Sequence, residues 1–244
     1  MVLGTWQRMR RQEVVALTVA AMLAALFLLG STRPARADDV ADSKELVDRA
    51  VFTIQRFQED GAMEGFRELM RERVRGILVL PQVIKIGFLV GGSGGSGVLM
   101  ARNAQGEWQG PSFYTLYQFN IGLLAGAEAT EMVILALTEK GLTSLLSSTM
   151  KWGAEASGAI GPVGMGAAAA SAGLSADLVI YSRGKGLYAG FSLDGAVIDV
   201  RESLIAAYFG RSATPLDILI RGEVKSPHTQ PLADLLKKVA AGQK

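Results

Sequence analysis

The 244-residue chain contains no cysteine. That absence excludes disulfides, a thiol nucleophile and a thiolate metal site. Histidine is almost as scarce: His228 stands alone, so a multi-histidine metal centre is excluded and nucleophilic chemistry has a single imidazole to draw on. Net charge is small too, 25 basic against 23 acidic groups. Even that excess belongs to one end. Residues 1–37 hold five arginines and one glutamate, which leaves 20 basic and 22 acidic groups in residues 38–244. A protein that coats nucleic acid carries a net basic footprint, so nucleic acid is not an expected partner. Any anionic ligand must be met by a local patch. Glu128, Glu131 and Glu155 are scattered, with no spacing for paired-carboxylate or metal chemistry, and no cofactor is expected.

What is present begins with a targeting segment. Arg8, Arg10 and Arg11 precede an apolar stretch at 14–29, and Ala35-Arg36-Ala37 then forms an A-x-A pattern before Asp38-Asp39. Positive flank, short apolar run and small-residue site in that order read as a cleaved secretory signal peptide over residues 1–37. The apolar run of about 16 residues is short for a span of about 20, which disfavours an uncleaved anchor.

The remainder, 38–244, reads as a single α+β domain. Val47, Ala50, Val51, Ile54 and Phe57 recur with helical period over 40–58, with Asp42 and Glu45 at capping-box spacing. A second helix is expected over 63–75, ended by Gly76. "ILVLPQVIKIGFLV", "VLMAR", "FYTLYQFNIGLL" and "EMVILAL" then read as strands. A short helix follows over 138–148, and "DLVIYSRGKGLYAGFSLDGAVIDVR" predicts three short strands with turns at Arg183-Gly184-Lys185-Gly186 and Asp194-Gly195. Three helices close the chain near 202–208, 215–219 and 231–240, the second capped by Thr214 with Pro215 at its first position. The expected architecture is a small glycine-rich antiparallel β-barrel core flanked by N- and C-terminal helices.

The run "GGSGGSG" at 91–97 touches two catalytic patterns. It matches G-x-G-x-x-G, but that fingerprint needs a following helix, and "VLMAR" leads only to a turn at Asn103-Ala104-Gln105-Gly106. Gly91-Gly92-Ser93-Gly94-Gly95 also matches G-x-S-x-G. A nucleophile elbow again needs strand, turn and helix, with a histidine base, and His228 lies far off between Pro227 and Thr229. The remaining reading is a mobile turn between strands, or a place where backbone approaches closely.

"GFLVGGSGGSGVLMAR", "GEWQGPSFY", "GAIGPVG" and "YSRGKGLYAGFSLDGAVIDVR" together resemble the SYLF domain, over about residues 75–222. The SYLF family comprises lipid- and phosphoinositide-binding modules of eukaryotic endocytic and actin-patch proteins, with exported bacterial versions. The resemblance implies a small β-barrel flanked by helices, an electropositive surface for anionic headgroups, and no enzymatic activity. It is carried best by Arg102, Trp108, Pro111, Phe113, Arg183, Lys185 and Asp194. The chain departs from the family at Ser93 and Met165, where relatives often carry a base.

Candidate lipid-binding residues follow. Arg71, Arg73 and Arg75 crowd the end of the second helix beside Arg67, and Lys85 comes next. Glu68 and Glu72 sit among them, so a solvated helix face with i,i+4 pairs is the plain alternative. At about 1 kcal/mol per uncompensated base, the cluster offers only about 2–3 kcal/mol. Arg183 and Lys185 form a more compact anion site, with no acid beside them in sequence. Lys151 next to Trp152 pairs a base with an aromatic suited to a membrane boundary, against the alternative of a core tryptophan. Arg102 completes the set. The expectation is an exported, non-enzymatic lipid-binding protein, periplasmic or secreted and peripheral on an envelope membrane, with anionic phospholipids as partners. The alternatives are a structural or protein-interaction module of the bacterial envelope with a protein partner there, and a serine hydrolase at Ser93.

Overall fold

A computed structural model describes residues 35–161, 176–184, 193 and 195–243, without the side chains of 35–37, 87–90 and 120–126. Residues 39–244 form one compact unit. Among the described residues every buried core side chain lies within 39–244, so that unit carries its own core.

Helix α1 (Ala35–Glu59) starts earlier than the periodicity indicates. Asp42 is therefore inside the helix and not its cap. Leu46, Val47, Ala50, Ile54 and Phe57 are buried, as their spacing requires. The chain turns at Asp60, whose carboxylate accepts from the Ala62 N–H at 3.0 Å. Arg67 secures this corner by donating to the Gln58 and Asp60 carbonyls at 3.1 and 2.7 Å. Helix α2 (Glu64–Glu72) then buries Phe66, Leu69 and Met70. Phe66 stands edge-on between Phe57 and Tyr181, with centroids 5.5 and 5.9 Å away. It thereby ties both N-terminal helices to the sheet.

The sheet is built on two very long strands, β1 (Gly76–Arg102) and β2 (Trp108–Ala136), paired antiparallel along their length. The turn between them is where it was expected. The Asn103 side chain accepts from the Gln105 and Glu107 N–H groups at 3.0 and 2.9 Å. After helix α3 (Glu139–Leu146) come the short strands β3 (Thr149–Lys151) and β4 (Gly158–Ile160), then β5 (Leu178–Gly184) and β6 (Val197–Val200). The order is β3-β6-β2-β5-β4, with β1 on β2. β4 runs parallel to β5 and every other pairing is antiparallel. The α+β class and the flanking helices are as expected. The segments expected as separate strands are fused: the glycine run is neither a turn nor a tip but the interior of β1.

The glycines let β1 fold back on itself. A Cβ on Gly95 would stand 2.3 Å from the Gln82 carbonyl oxygen, and one on Gly97 would stand 2.5 Å from that of Val79. At the ends of the strand the Arg102 N–H donates to the Arg75 carbonyl at 2.7 Å. The two halves of β1 thus lie against each other, and β2 follows the same bend. Register shifts at Leu80/Val83, Phe88/Leu89 and Leu99/Ala101 mark the bulges that allow this curvature.

Helices α4 (Glu202–Phe209), α5 (Pro215–Leu219) and α6 (Gln230–Ala240) close the chain near the expected positions. Thr214 caps α5 in a full capping box with Asp217. Of the three short strands expected after Asp177, β5 and β6 are described; Lys185, Gly186 and Asp194 lie outside the described residues.

Candidate functional site

The bend in the β1–β2 ribbon produces an arch, residues 84–94 of β1 and 117–129 of β2. Its two faces are unlike. Cross-strand partners share a face, and the register joins Ile84 to Ala129, Ile86 to Ala127 and Gly94 to Tyr117. These side chains, with Phe119 opposite Gly92, point outward. Ile84 is 42% exposed, Ile86 60% and Phe119 86%. The opposite face holds Lys85 across from Glu128 and Ser93 across from Gln118. The Ser93 hydroxyl is buried and donates to Gln118 Oε1 at 3.2 Å.

The candidate basic residues divide between two ends of the molecule. Lys85, Arg183 and Lys151 lie at the arch end. Arg183 occupies β5 opposite Glu131. Its Nε donates to Asp60 Oδ2 at 3.0 Å and its Nη1 to Glu131 Oε2 at 3.3 Å, while Arg56 binds the other Glu131 oxygen. The sequence expectation of a base without neighbouring acid is therefore wrong for Arg183, because α1 and β2 bring two carboxylates that are remote in sequence. The Ala62 N–H, then Arg183, holds the Asp60 carboxyl below its ordinary range. The same pairing holds the guanidinium in its charged form. Even so, the Arg183 side chain is 37% exposed against 20% for Asp60 and 16% for Glu131. The cation caps its acids. Lys151 is exposed at the end of β3, and its β6 partner Val197 also pairs Tyr117. It therefore stands on the outward row, two strands from the arch, about 10 Å at normal strand spacing. Trp152 is buried, its ring over Gly158, so it is a core residue and not an interfacial anchor.

Arg73, Arg75 and Arg102 line one cleft of about 450 Å³ at the opposite end, where the ends of β1 meet. Glu72 also lines it, and Arg75 pairs with Glu139. The Arg102 guanidinium lies 5.8 Å from the Trp108 ring centroid, within cation–π range. Arg71 belongs to neither end: it binds Glu68 at 2.9 Å and, with Arg67, lines a separate cavity of about 640 Å³ against Gly242 and Gln243. The expected cluster of Arg71, Arg73 and Arg75 is thus split between two depressions. Asp60, Glu131 and Arg56 were missed by sequence reasoning, since only tertiary folding places them around Arg183. The stretch around Ile84 and Ile86 reads in sequence as a continuous apolar run of the kind found in buried strands, and the structure instead leaves both side chains exposed.

Nothing brings a hydrolytic pair together. Ser93 bonds to Gln118 inside a strand, and His228 lies 3.3 Å from Asp48 and 3.3 Å from the Tyr208 hydroxyl, fastening the C-terminal segment to α1. Strand, not helix, follows Gly97, so the nucleophile-elbow geometry is contradicted. Among the described residues, no group of three or more metal-ligating side chains converges, and no helix is long and apolar enough to cross a membrane.

Comparison with known proteins places the chain in a family. A family described as Ysc84, Las17-binding protein actin regulator, matches residues 117–239. Protein YSC84 of Saccharomyces cerevisiae is 32% identical over 183 residues, covering 73% of this chain and 38% of that protein. LAS seventeen-binding protein 3 of the same yeast is 33% identical over 172 residues, 69% of this chain and 36% of its own length. SH3 domain-containing YSC84-like protein 1 of Mus musculus is 31% identical over 157 residues, 64% of this chain and 46% of its own length. The chain therefore spans less than half the length of these relatives.

Proposed function

The chain belongs to the Ysc84 family, and from that premise we propose that it is an exported, non-enzymatic lipid-binding protein that meets anionic phospholipids through basic side chains on its surface. The observation that carries this reading is the presentation of Arg183. Its guanidinium is more exposed than the two carboxylates beneath it, and a guanidinium has five donors. Donors not engaged by Asp60 and Glu131 are free in geometry to reach a phosphate. Lys151 and Lys85 stand at the same end. The cluster has no large net charge, so attraction is short-ranged, at most about 1 kcal/mol per base near an anionic surface, and fades with salt.

Co-sedimentation tests this on residues 39–244. Binding is expected to vesicles containing phosphatidylglycerol and not to phosphatidylcholine alone, to fall with added salt, and to weaken severalfold in Arg183→Gln. Binding indifferent to lipid charge would overturn it. Export rests on residues 1–37 and is checked by N-terminal sequencing of the protein from a bacterial envelope fraction.

A second reading, a protein-interaction module, is favoured by the cleft of Arg73, Arg75 and Arg102, which lies at the end away from the arch. Relatives are named as Las17-binding and SH3-containing proteins. An acidic peptide segment fits such a cleft by charge. In that case Arg75→Glu with Arg102→Glu would abolish capture of a partner while leaving vesicle binding unchanged.

A further inference from the structure

The outward face of the arch inverts the arrangement expected of a sheet surrounded by water. Its exposed positions are Ile84, Ile86, Phe119, Tyr117, Ala127 and Ala129, while the inward face carries Lys85, Glu128, Ser93 and Gln118. Water-facing strands place polar side chains outside and apolar ones inside. Apolar outside with polar inside is the pattern of strands whose outer solvent is hydrocarbon. An isolated exposed apolar residue needs no explanation; a contiguous row does.

Charge complements this. No Asp, Glu, Lys, Arg or His occurs in 86–101 or in 108–127. The last charges on the two strands, Lys85 and Glu128, are register partners on the inward face. Charged groups reappear at the foot of the arch, with Arg56 and Arg183 around Glu131 on one side and Lys151 on the other. Tyr117 marks the boundary: its ring is on the outward face and its hydroxyl donates to Asp199 at 2.7 Å. Phe119 stands farther out. Bases, then an amphipathic aromatic, then uncharged apolar side chains follow the profile of a bilayer from headgroup to acyl chain. Among the described residues β6 pairs β2 no farther along the arch than Tyr117, and β5 no farther than Thr130. A ribbon edge without a strand partner is satisfied by water, so the depth argued for here is the headgroup–acyl boundary.

We infer that the outward face of this arch, centred on Ile86 and Phe119, is a membrane-docking surface that enters the upper acyl region of one leaflet. The inference rests on the lipid reading above and specifies which end of the protein faces the bilayer. Arg183 and Lys151 then lie level with the phosphates, and the Arg73–Arg75–Arg102 cleft faces away.

The lack of cysteine makes the test clean. Ile86→Cys, Phe119→Cys and, as a control on α6, Lys238→Cys each accept one environment-sensitive fluorophore, in residues 39–244 and in the full chain. On vesicles of phosphatidylcholine with phosphatidylglycerol, the probes at 86 and 119 are expected to shift blue and to be quenched by nitroxides high on the acyl chains. The probe at 238 is expected to stay in water. Phe119→Glu should reduce vesicle binding at least tenfold with an unchanged circular dichroism spectrum. Vesicle-bound protein whose probes at 86 and 119 remain in water overturns the docking surface and leaves the lipid reading standing. Probes that are already dry without vesicles, with a dimer in sedimentation velocity, assign the face to a second copy and overturn it equally. Insertion into phosphatidylcholine alone, at any salt, supports the arch and removes the charge-based reading. No binding to either vesicle removes both.

Discussion

At the residue scale, the glycine run is decided by the space each Cβ would enter. Gly97→Ala would press its methyl against the Val79 backbone, with the carbonyl oxygen 2.5 Å and the carbonyl carbon 3.2 Å away. Backbone cannot rotate aside as a side chain can, so a loss of about 1–3 kcal/mol is expected, read as a lower urea midpoint. Gly94→Ala meets only the Leu116 carbonyl oxygen at 3.4 Å, an ordinary contact, and should be neutral or slightly stabilising because the unfolded chain loses freedom. Equal losses at the two positions would remove the close-approach account. Asp177 is a second decisive residue. It accepts from the Thr138 hydroxyl at 2.7 Å and from the Ser157 N–H and hydroxyl at 2.9 and 2.8 Å, with Lys140 at 3.6 Å. Those bonds, the Thr138 hydroxyl first, hold its carboxyl well below the ordinary value of 3.8. A depressed folded-state value stabilises the fold fully above the unfolded value, and that contribution disappears as pH falls through the folded one. The urea midpoint of the parent chain should therefore drop more steeply than that of Asp177→Asn below about pH 4. Parallel curves would show that the latch contributes nothing.

At the scale of elements, Phe66 tests whether α1, α2 and β5 share one core. It is fully buried and edge-on to Phe57 and Tyr181. Phe66→Ala should cost about 3–5 kcal/mol and lower the thermal midpoint of the whole unit, since no boundary separates these elements within 39–244. A separate early transition confined to the helices would contradict this. The helices were the most legible elements. Thr214 and Pro215 state the start of α5 chemically, and Thr214 caps it as read, with Asp217 completing a box that the sequence reading did not name. The long strands were not legible as single strands, because 27 and 29 residues exceed ordinary strand length, and glycines within strands share their signature with turns. Pairing with β2 keeps β1 continuous through "GGSGGSG", each glycine facing a residue of the partner strand.

At the scale of the whole molecule, bending the ribbon separates the two ends on which the functional readings rest. Arg183 and Lys151 stand beside the arch; Arg75 and Arg102 stand where the ends of β1 meet. With the arch end toward a bilayer, Arg183→Gln should weaken vesicle binding severalfold and Arg75→Gln should leave it within twofold. The reverse result in the same co-sedimentation assay would turn the molecule around. The number of candidate bases was a poor guide to this orientation. Arg71, Arg73 and Arg75 are neighbours in sequence but enter different depressions, because helix α2 ends between them. Arg183 and Asp60 are 123 residues apart yet bonded.

The linear sequence alone determined the lack of thiol and multi-histidine chemistry, the cap of α5, the buried faces of α1 and α2, and the resemblance that the family match supports. These properties reside in residue chemistry and short periodicity, which survive without knowledge of distant neighbours. Only the tertiary structure decided that the glycine run lies inside a folded-back strand, that Arg183 caps two carboxylates, and which side of the arch faces outward. Alternation divides a strand into two faces, but only packing against the rest of the chain decides which is covered.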